Sequence, residues 1–264
     1  RTLMQESTQQ ILQNITPGEP WDLVQKYALE IPYRLISEYV GTPGSDRDTM
    51  LRWNRTLFWD AFLNLKSEEG PRKAATVSGV EMRGYLNSLI QELKARMLAG
   101  EAVPDTLISR LIRNQLDNIH PLDDDGIRRN ISGILLGTVQ NQAKCCVFIL
   151  EQLLLQPKAW EAARKAAHEN NIDQVMHLSF DAMRLHSPIP VLIRYSEKAQ
   201  TVSGKGGKPR KIKAGKDVFA LTSSAMLDPR RFPNPKEIRA DRPMQDYLYF
   251  GLGLHKCYGE HINY

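Results

Sequence analysis

The sequence holds little cysteine, three residues in 264, and two of these, Cys145 and Cys146, are adjacent. No disulfide framework can be built from such a set, so a reducing compartment, the cytosol by default, is expected. An unbroken apolar run of about 18 residues, the length that reads as a bilayer-spanning helix, is also missing. The first residues lack the charged and apolar regions of a secretory leader, and the chain opens at Arg1 in helix-like sequence without an initiator methionine. Basic residues outnumber acidic ones by five and the isoelectric point is near 9.1, yet no basic patch interleaved with aromatics is present, which argues against nucleic acid as a partner. What the chain does have is 42% hydrophobic residues, enough for a sizeable core, and a length that suits one large domain.

Periodicity is helical through most of the chain. Leu3, Met4, Ile11, Leu12 and Ile15 share a helical spacing that Pro17-Gly18 ends, and a second amphipathic helix runs from Trp21 to Val40 before Gly41-Thr42-Pro43-Gly44. Residues 45–65 form a helix with Trp53, Phe58, Trp59 and Phe62, an aromatic stripe that serves as core or as the wall of a substrate channel. A turn at Glu68-Glu69-Gly70-Pro71 precedes a long helix over 74–99, and helices follow over 105–118, 123–156, 158–170 and 172–185.

The helix over 123–156 is apolar on most faces and is expected to be buried through the domain, with Gly133 and Gly137 marking a close approach. Inside it lie Gln140, Asn141 and Gln142. Buried amides need partners, so these are hydrogen-bonded core amides, an exposed face, or the lining of a solvent-filled pocket. Beyond Pro188 and Pro190 the period becomes strand-like at 191–195, Ile212 and 218–221. Ser203 to Lys211 reads as a flexible basic hairpin tip, and 228–248, rich in proline and charge, as an ordered irregular segment.

The most informative stretch is Tyr249 to Gly259, Y-F-G-L-G-L-H-K-C-Y-G. Its glycines free the backbone and allow close approach to a flat partner, and a cysteine thiolate among backbone donors can ligate iron. A buried glycine-rich turn with an inert cysteine is the plainer alternative.

The string Phe250-Gly251-x-Gly253-x-His255-x-Cys257-x-Gly259 resembles the complete heme-binding loop of the cytochrome P450 family. The resemblance implies heme b as cofactor, Cys257 as its axial thiolate and metal ligand, Phe250 beside the sulfur, and His255 as a donor to a heme propionate. It also places Arg194 at a propionate, and Asp181-Ala-Met-Arg184 where the family has Glu-x-x-Arg, joined by Arg242 in a network behind the heme. A surface ion pair is the other reading of Asp181 and Arg184.

Counted back from Pro157, Gly137-Thr138-Val139-Gln140-Asn141 falls where the family has Ala-Gly-x-acid-Thr. The pair that usually relays protons is thus replaced by Gln140 and Asn141, which do not titrate. The implied fold is mainly α with a small β region, a single heme-thiolate domain over 1–264 that lacks the family's amino-terminal portion and carboxyl end. The implied function is an oxidoreductase, a monooxygenase on an apolar, lipid-like substrate, served by a redox partner or a fused amino-terminal domain. A fatty-acid hydroperoxide isomerase or dehydratase that needs no external electrons is the alternative suggested by the amides, and a non-catalytic heme-binding remnant is the third. With the family's amino-terminal portion missing, membrane association stays open beside the cytosol.

Overall fold

The computed structural model describes residues 2–119, 122–204 and 207–262. It is mostly helical with a few short strands, as the sequence implies, and separates into two compact units, residues 1–147 and 148–264. The long helix α6 (Asp124–Leu155) contributes residues to both.

In the first unit, α1 (Thr2–Leu12) ends ahead of Gly18, which holds a positive φ of 88°. The expected helix from Trp21 to Val40 is not continuous: α2 (Glu30–Arg34) is flanked by two π-helical turns, Val24–Ala28 and Leu35–Val40. Pro32 explains the interruption, since it has no N–H to return to the preceding turn and the adjoining turns widen around it. Gly41, at φ 86°, closes this segment, and both the N–H and hydroxyl of Thr42 donate to the Ile36 carbonyl at 2.9 Å.

Asp46 starts α3 (Arg47–Phe58), its carboxylate accepting from the Thr49 N–H at 2.8 Å, and the same bond holds its pKa below the usual range. A third π turn, Trp59–Leu63, follows. The aromatic stripe divides there: Trp53 and Phe58 are buried, whereas Trp59 and Phe62 are exposed, because the widened turn shifts the register of the side chains after it. Helix α4 (Glu69–Leu98) begins earlier than expected. Pro71 is no barrier to it, since the first helical turn has no use for that N–H. Thr106 and Ser109 form a reciprocal cap on α5 (Leu107–Leu116).

The core of this unit joins Ile36, Val40, Met50 and Trp53 to Leu86 and Ile90 of α4, Ile108 and Ile112 of α5, and Ile127, Ile131, Leu135 and Val139 of α6. The α6 residues recur every fourth position, one stripe of that helix. Its other faces are half-buried or exposed, and only 17% of its most apolar window is buried, so the expectation of a helix enclosed on most faces is corrected. By length and composition alone α6 could cross a bilayer, although no unbroken apolar run is present; its stripe instead packs into the core.

In the second unit, α7 (Pro157–His168) and α8 (Ile172–Leu185) pack through Ala159, Ala163, Leu178 and Ala182, with Leu153 and Ile238 completing the cluster. Strands β1 (Leu192–Ser196) and β4 (Lys216–Ala220) pair antiparallel with Arg194 opposite Val218, and β2 (Gln200–Val202) pairs with β3 (Arg210–Ile212). The basic hairpin tip falls partly outside the described residues. Leu221 leaves the strand to open α9 (Thr222–Ala225), and the segment to Leu248 is irregular.

Candidate functional site

The glycine loop folds back on itself by backbone bonds. The Cys257 N–H donates to the Phe250 carbonyl at 2.7 Å, the Lys256 N–H to Gly253 at 3.1 Å, and the Gly251 N–H to Leu248 at 3.2 Å. Gly251 and Gly253 hold φ values of 66° and 71°, a region that side chains resist. Crowding is not their reason: a Cβ on Gly253 would meet nothing within 4 Å, and one on Gly251 only ordinary contact with the His255 carbonyl. The outcome is an exposed Cys257 beside an exposed His255, so the inert buried turn is set aside.

Aromatic rings fix the base of the loop. Phe250 lies 6.1 Å from Phe180 of α8, Tyr249 donates its hydroxyl to the Phe180 carbonyl at 2.5 Å, and Tyr247 stacks on Tyr249 at 5.4 Å. Tyr247 donates in turn to Asp181 at 3.0 Å. Burial first, and then the Asp181 charge, push the Tyr247 phenol far above its usual range, so it stays a donor. Apart from Phe250, none of these anchors was picked out from sequence, although the alternation Tyr247-x-Tyr249 ahead of the glycines was a readable signal.

Asp181 and Arg184 are both fully buried, which excludes a surface pair. Arg184 donates to Asp181 at 2.8 Å and 3.3 Å and to the carbonyls of Met226, Pro235 and Glu237. Arg242 donates to Asp181 at 3.2 Å and to the carbonyls of Asn234 and Glu237. With the Arg239 N–H at 2.8 Å, the carboxylate is surrounded by donors. The shorter aspartate works here because its partners close in from the irregular segment. Both guanidiniums also lie over the Phe232 ring, at 5.1 Å and 5.7 Å.

Arg194, on β1, is exposed and donates to the Ile193 carbonyl at 2.8 Å. In the first unit, Gly137 is exposed and accepts from the Asn141 amide through its carbonyl at 2.9 Å. Gln140 and Asn141 are half-buried, and Asn141 Oδ1 is buried without a hydrogen-bond partner, an acceptor that calls for a donor. A Cβ at Gly133 or Gly137 would meet nothing within 4 Å, so this face of α6 is open. Further along, burial pushes the Cys145 thiol up to about 12 and raises that of Cys146, which leaves both as weakly polar core-edge groups.

The donor set suits a heme. Within the second unit, a thiol presented on a glycine loop, with an exposed guanidinium and imidazole for anionic groups, is a donor set that fits a thiolate-ligated heme. The sequence profile of cytochrome P450 matches residues 55–263, and the chain belongs to that family, whose cofactor is heme b. It is 26% identical over 247 residues to mycinamicin IV hydroxylase/epoxidase of Micromonospora griseorubida, covering 92% of this chain and 55% of that protein. To erythromycin C-12 hydroxylase of Saccharopolyspora erythraea it is 29% identical over 246 residues, covering 92% of this chain and 57% of the relative. The chain thus spans little more than half the length of these relatives. The fold matches that of P450BioI in complex with a hexadec-9Z-enoic acid ligated acyl carrier protein, with a TM-score of 0.81 at 18% identity over 98% of this chain and 62% of that one.

Proposed function

We propose that the protein is a heme-thiolate monooxygenase that oxidises an apolar, lipid-like small molecule, with Cys257 as the axial ligand. The observation that carries this reading is the exposed Cys257 thiol on a loop closed by its own N–H to the Phe250 carbonyl, within a chain of the cytochrome P450 family. Bound there, heme supplies an iron whose thiolate ligand favours O–O cleavage. Phe250, Gly251, Gly253 and Gly259 would hold it from the loop, Arg194 and His255 would donate to its propionates, and Gly137 leaves its stretch of α6 without a side chain. The reaction draws electrons from a redox partner or a fused domain, and the three free cysteines favour a reducing cytosol.

Gln140 and Asn141 are assigned the catalytic face. Neither can relay a proton by titrating, but the unpartnered Asn141 Oδ1 can accept from a hydroxyl or hydroperoxide. That acceptor favours a second reading, an isomerase or dehydratase of fatty-acid hydroperoxides, in which the substrate brings its oxygen already activated.

The reduced, carbon-monoxide-bound spectrum of the heme-loaded protein tests the common core. A thiolate signature is expected that Cys257→Ala abolishes and Cys145→Ala preserves; equal effects of the two substitutions defeat the assignment. Turnover of a fatty-acid hydroperoxide without reductant then selects the second reading, and its absence selects the monooxygenase.

A further inference from the structure

Residues 197–217 carry seven basic side chains against two acidic ones, an excess of five. The formal net charge of the whole chain is the same, +5, so the rest of the sequence is balanced and the entire surplus sits in this stretch. Lys198, Lys208, Arg210, Lys211, Lys213 and Lys216 are all exposed. Among the described residues none of the six forms an ion pair, whereas exposed cations elsewhere do, such as Lys73 with Glu69 and Arg110 with Asp105. The strand register supplies no counter-charge either: Arg210 stands opposite Val202, Lys211 opposite Thr201, and Lys216 opposite Ser196. Such crowding of like charge raises the energy of the folded chain by self-repulsion, a cost that an anionic partner removes.

We propose that this ribbon, built on β2 and β3, docks the protein on the headgroups of an anionic lipid surface. Charge complementarity selects a polyanion, and the residue types select lipid among polyanions. No Phe, Tyr or Trp lies within 197–217, so bases have nothing to stack on, as single-stranded nucleic acid requires. Protein interfaces are poor in lysine and centre on aromatic and arginine anchors, whereas five of the six exposed cations here are lysines. Lysine is a hydrated point charge on a flexible stem, which suits a laterally mobile array of phosphates better than a fixed, fork-shaped contact. With no aromatic side chain to insert, attachment is by charge, reversible and screened by salt. The ribbon shares no residue with the thiol loop, so docking does not depend on the heme assignment.

Co-sedimentation of the full chain with vesicles tests the assignment, using phosphatidylcholine alone and phosphatidylcholine with an equal part of phosphatidylglycerol. Binding is expected to the mixed vesicles only, and to be lost in about 1 M salt, where the screening length falls to about 3 Å. Each lysine near a charged bilayer is worth about fivefold in affinity, so the triple variant Lys208→Gln, Lys211→Gln and Lys213→Gln is expected to bind about a hundredfold more weakly. A control triple, Lys66→Gln, Lys158→Gln and Lys236→Gln, removes the same charge from exposed lysines elsewhere and should keep most of the binding. Equal losses in the two triples overturn the proposal, as does binding to neutral vesicles as tight as to charged ones, or to neither. Tighter binding to a DNA duplex or to polyglutamate than to the mixed vesicles, at the same salt, assigns the ribbon to nucleic acid or to an acidic protein and overturns the lipid assignment. All six substituted positions are exposed, so folded variants are expected, and far-ultraviolet circular dichroism confirms them.

Discussion

Removing the carboxylate of Asp181 is the most demanding test of how this fold is held. Asp181, Arg184 and Arg242 are almost entirely shielded from water, and Asp181 accepts from both guanidiniums, from Tyr247 and from the Arg239 N–H. Asp181→Asn keeps the size and one acceptor oxygen while leaving two buried cations without their counter-charge, a defect of about 3–5 kcal/mol. Asp181→Ala also strands the Tyr247 hydroxyl and the Arg239 N–H, which adds about 1–3 kcal/mol for a buried group left unpaired. Against a stability of about 5–15 kcal/mol, either change is severe. Asp181→Glu restores the family's residue but forces a methylene into a site already filled, at about 1–3 kcal/mol. Urea unfolding followed by circular dichroism measures all three, with the expected order of stability wild type, Glu, Asn, Ala. If Asn unfolds within about 1 kcal/mol of wild type, or if Glu is the most stable of the four, then the charge balance drawn here is wrong.

Three further outcomes are expected. Gly41→Ala places a Cβ 2.4 Å from the Thr106 hydroxyl oxygen at φ 86°, and is expected to cost more than Gly18→Ala, which has φ 88° but nothing within 4 Å; the latter isolates the left-handed penalty of about 1–2 kcal/mol, and equal losses on thermal melting would show that Thr106 yields freely. Iodoacetamide at pH 8 is expected to modify Cys257 first, since it is exposed, and Cys145 last, since burial pushes its thiol to about 12; mass spectrometry of timed samples reads the order, and Cys257→Ser should remove the fast phase. The Asp124 carboxyl is held below its ordinary range first by Lys94, at 2.5 Å, and then by Gln115 and Gln91. A depressed folded pKa contributes stability that is complete above the unfolded value of about 3.9 and is lost as pH falls through the folded one, so Asp124→Asn should lower the melting temperature at pH 7, and the gap to wild type should narrow as the pH falls below about 3.9.

The long elements were legible because their signals are local. The ends of α8 at Ile172 and Leu185 follow from an asparagine cap before it and prolines after it, and the strands at 192–196 and 216–220 from branched and aromatic residues in alternation. The thiol loop was legible for a different reason: three glycines, a histidine and a cysteine at fixed spacing constrain one another. Pattern reading failed where neighbours distant in sequence decide. Pro32 was a local signal for the widened turns, whereas the exposure of α6 depends on which faces α4 and α5 reach. Hydropathy alone made α6 a fully enclosed helix, whereas one stripe of isoleucine, leucine and valine is buried. The contact between Lys144 and Phe58 was invisible for the same reason, because the two lie far apart in sequence, yet the ring lies beside the ammonium.

The buried ions and the exposed sulfur belong to one mechanical unit. Cys257 is bound through its N–H to Phe250, whose ring meets Phe180; Tyr249 holds the Phe180 carbonyl and stacks on Tyr247, which donates to Asp181. Each link is a hydrogen bond or a ring contact between residues of the second unit, so the loop's base is tied to the charge network although its tip faces solvent. Such a tie has a physical use. For the ligand role proposed for it, the sulfur must be held within about half an ångström of its working position, and a glycine-rich loop has too much conformational freedom to do so unaided. Hydrophobic packing alone is non-directional, whereas a carboxylate gripped by two forked guanidiniums fixes direction as well as distance. The desolvation of three charged groups is therefore the stability cost of a rigid seat for one thiol. It follows that mutations in the network should disturb the loop before they disturb the α7 and α8 cluster, whose small-residue contacts among Ala159, Ala163 and Ala182 do not depend on charge.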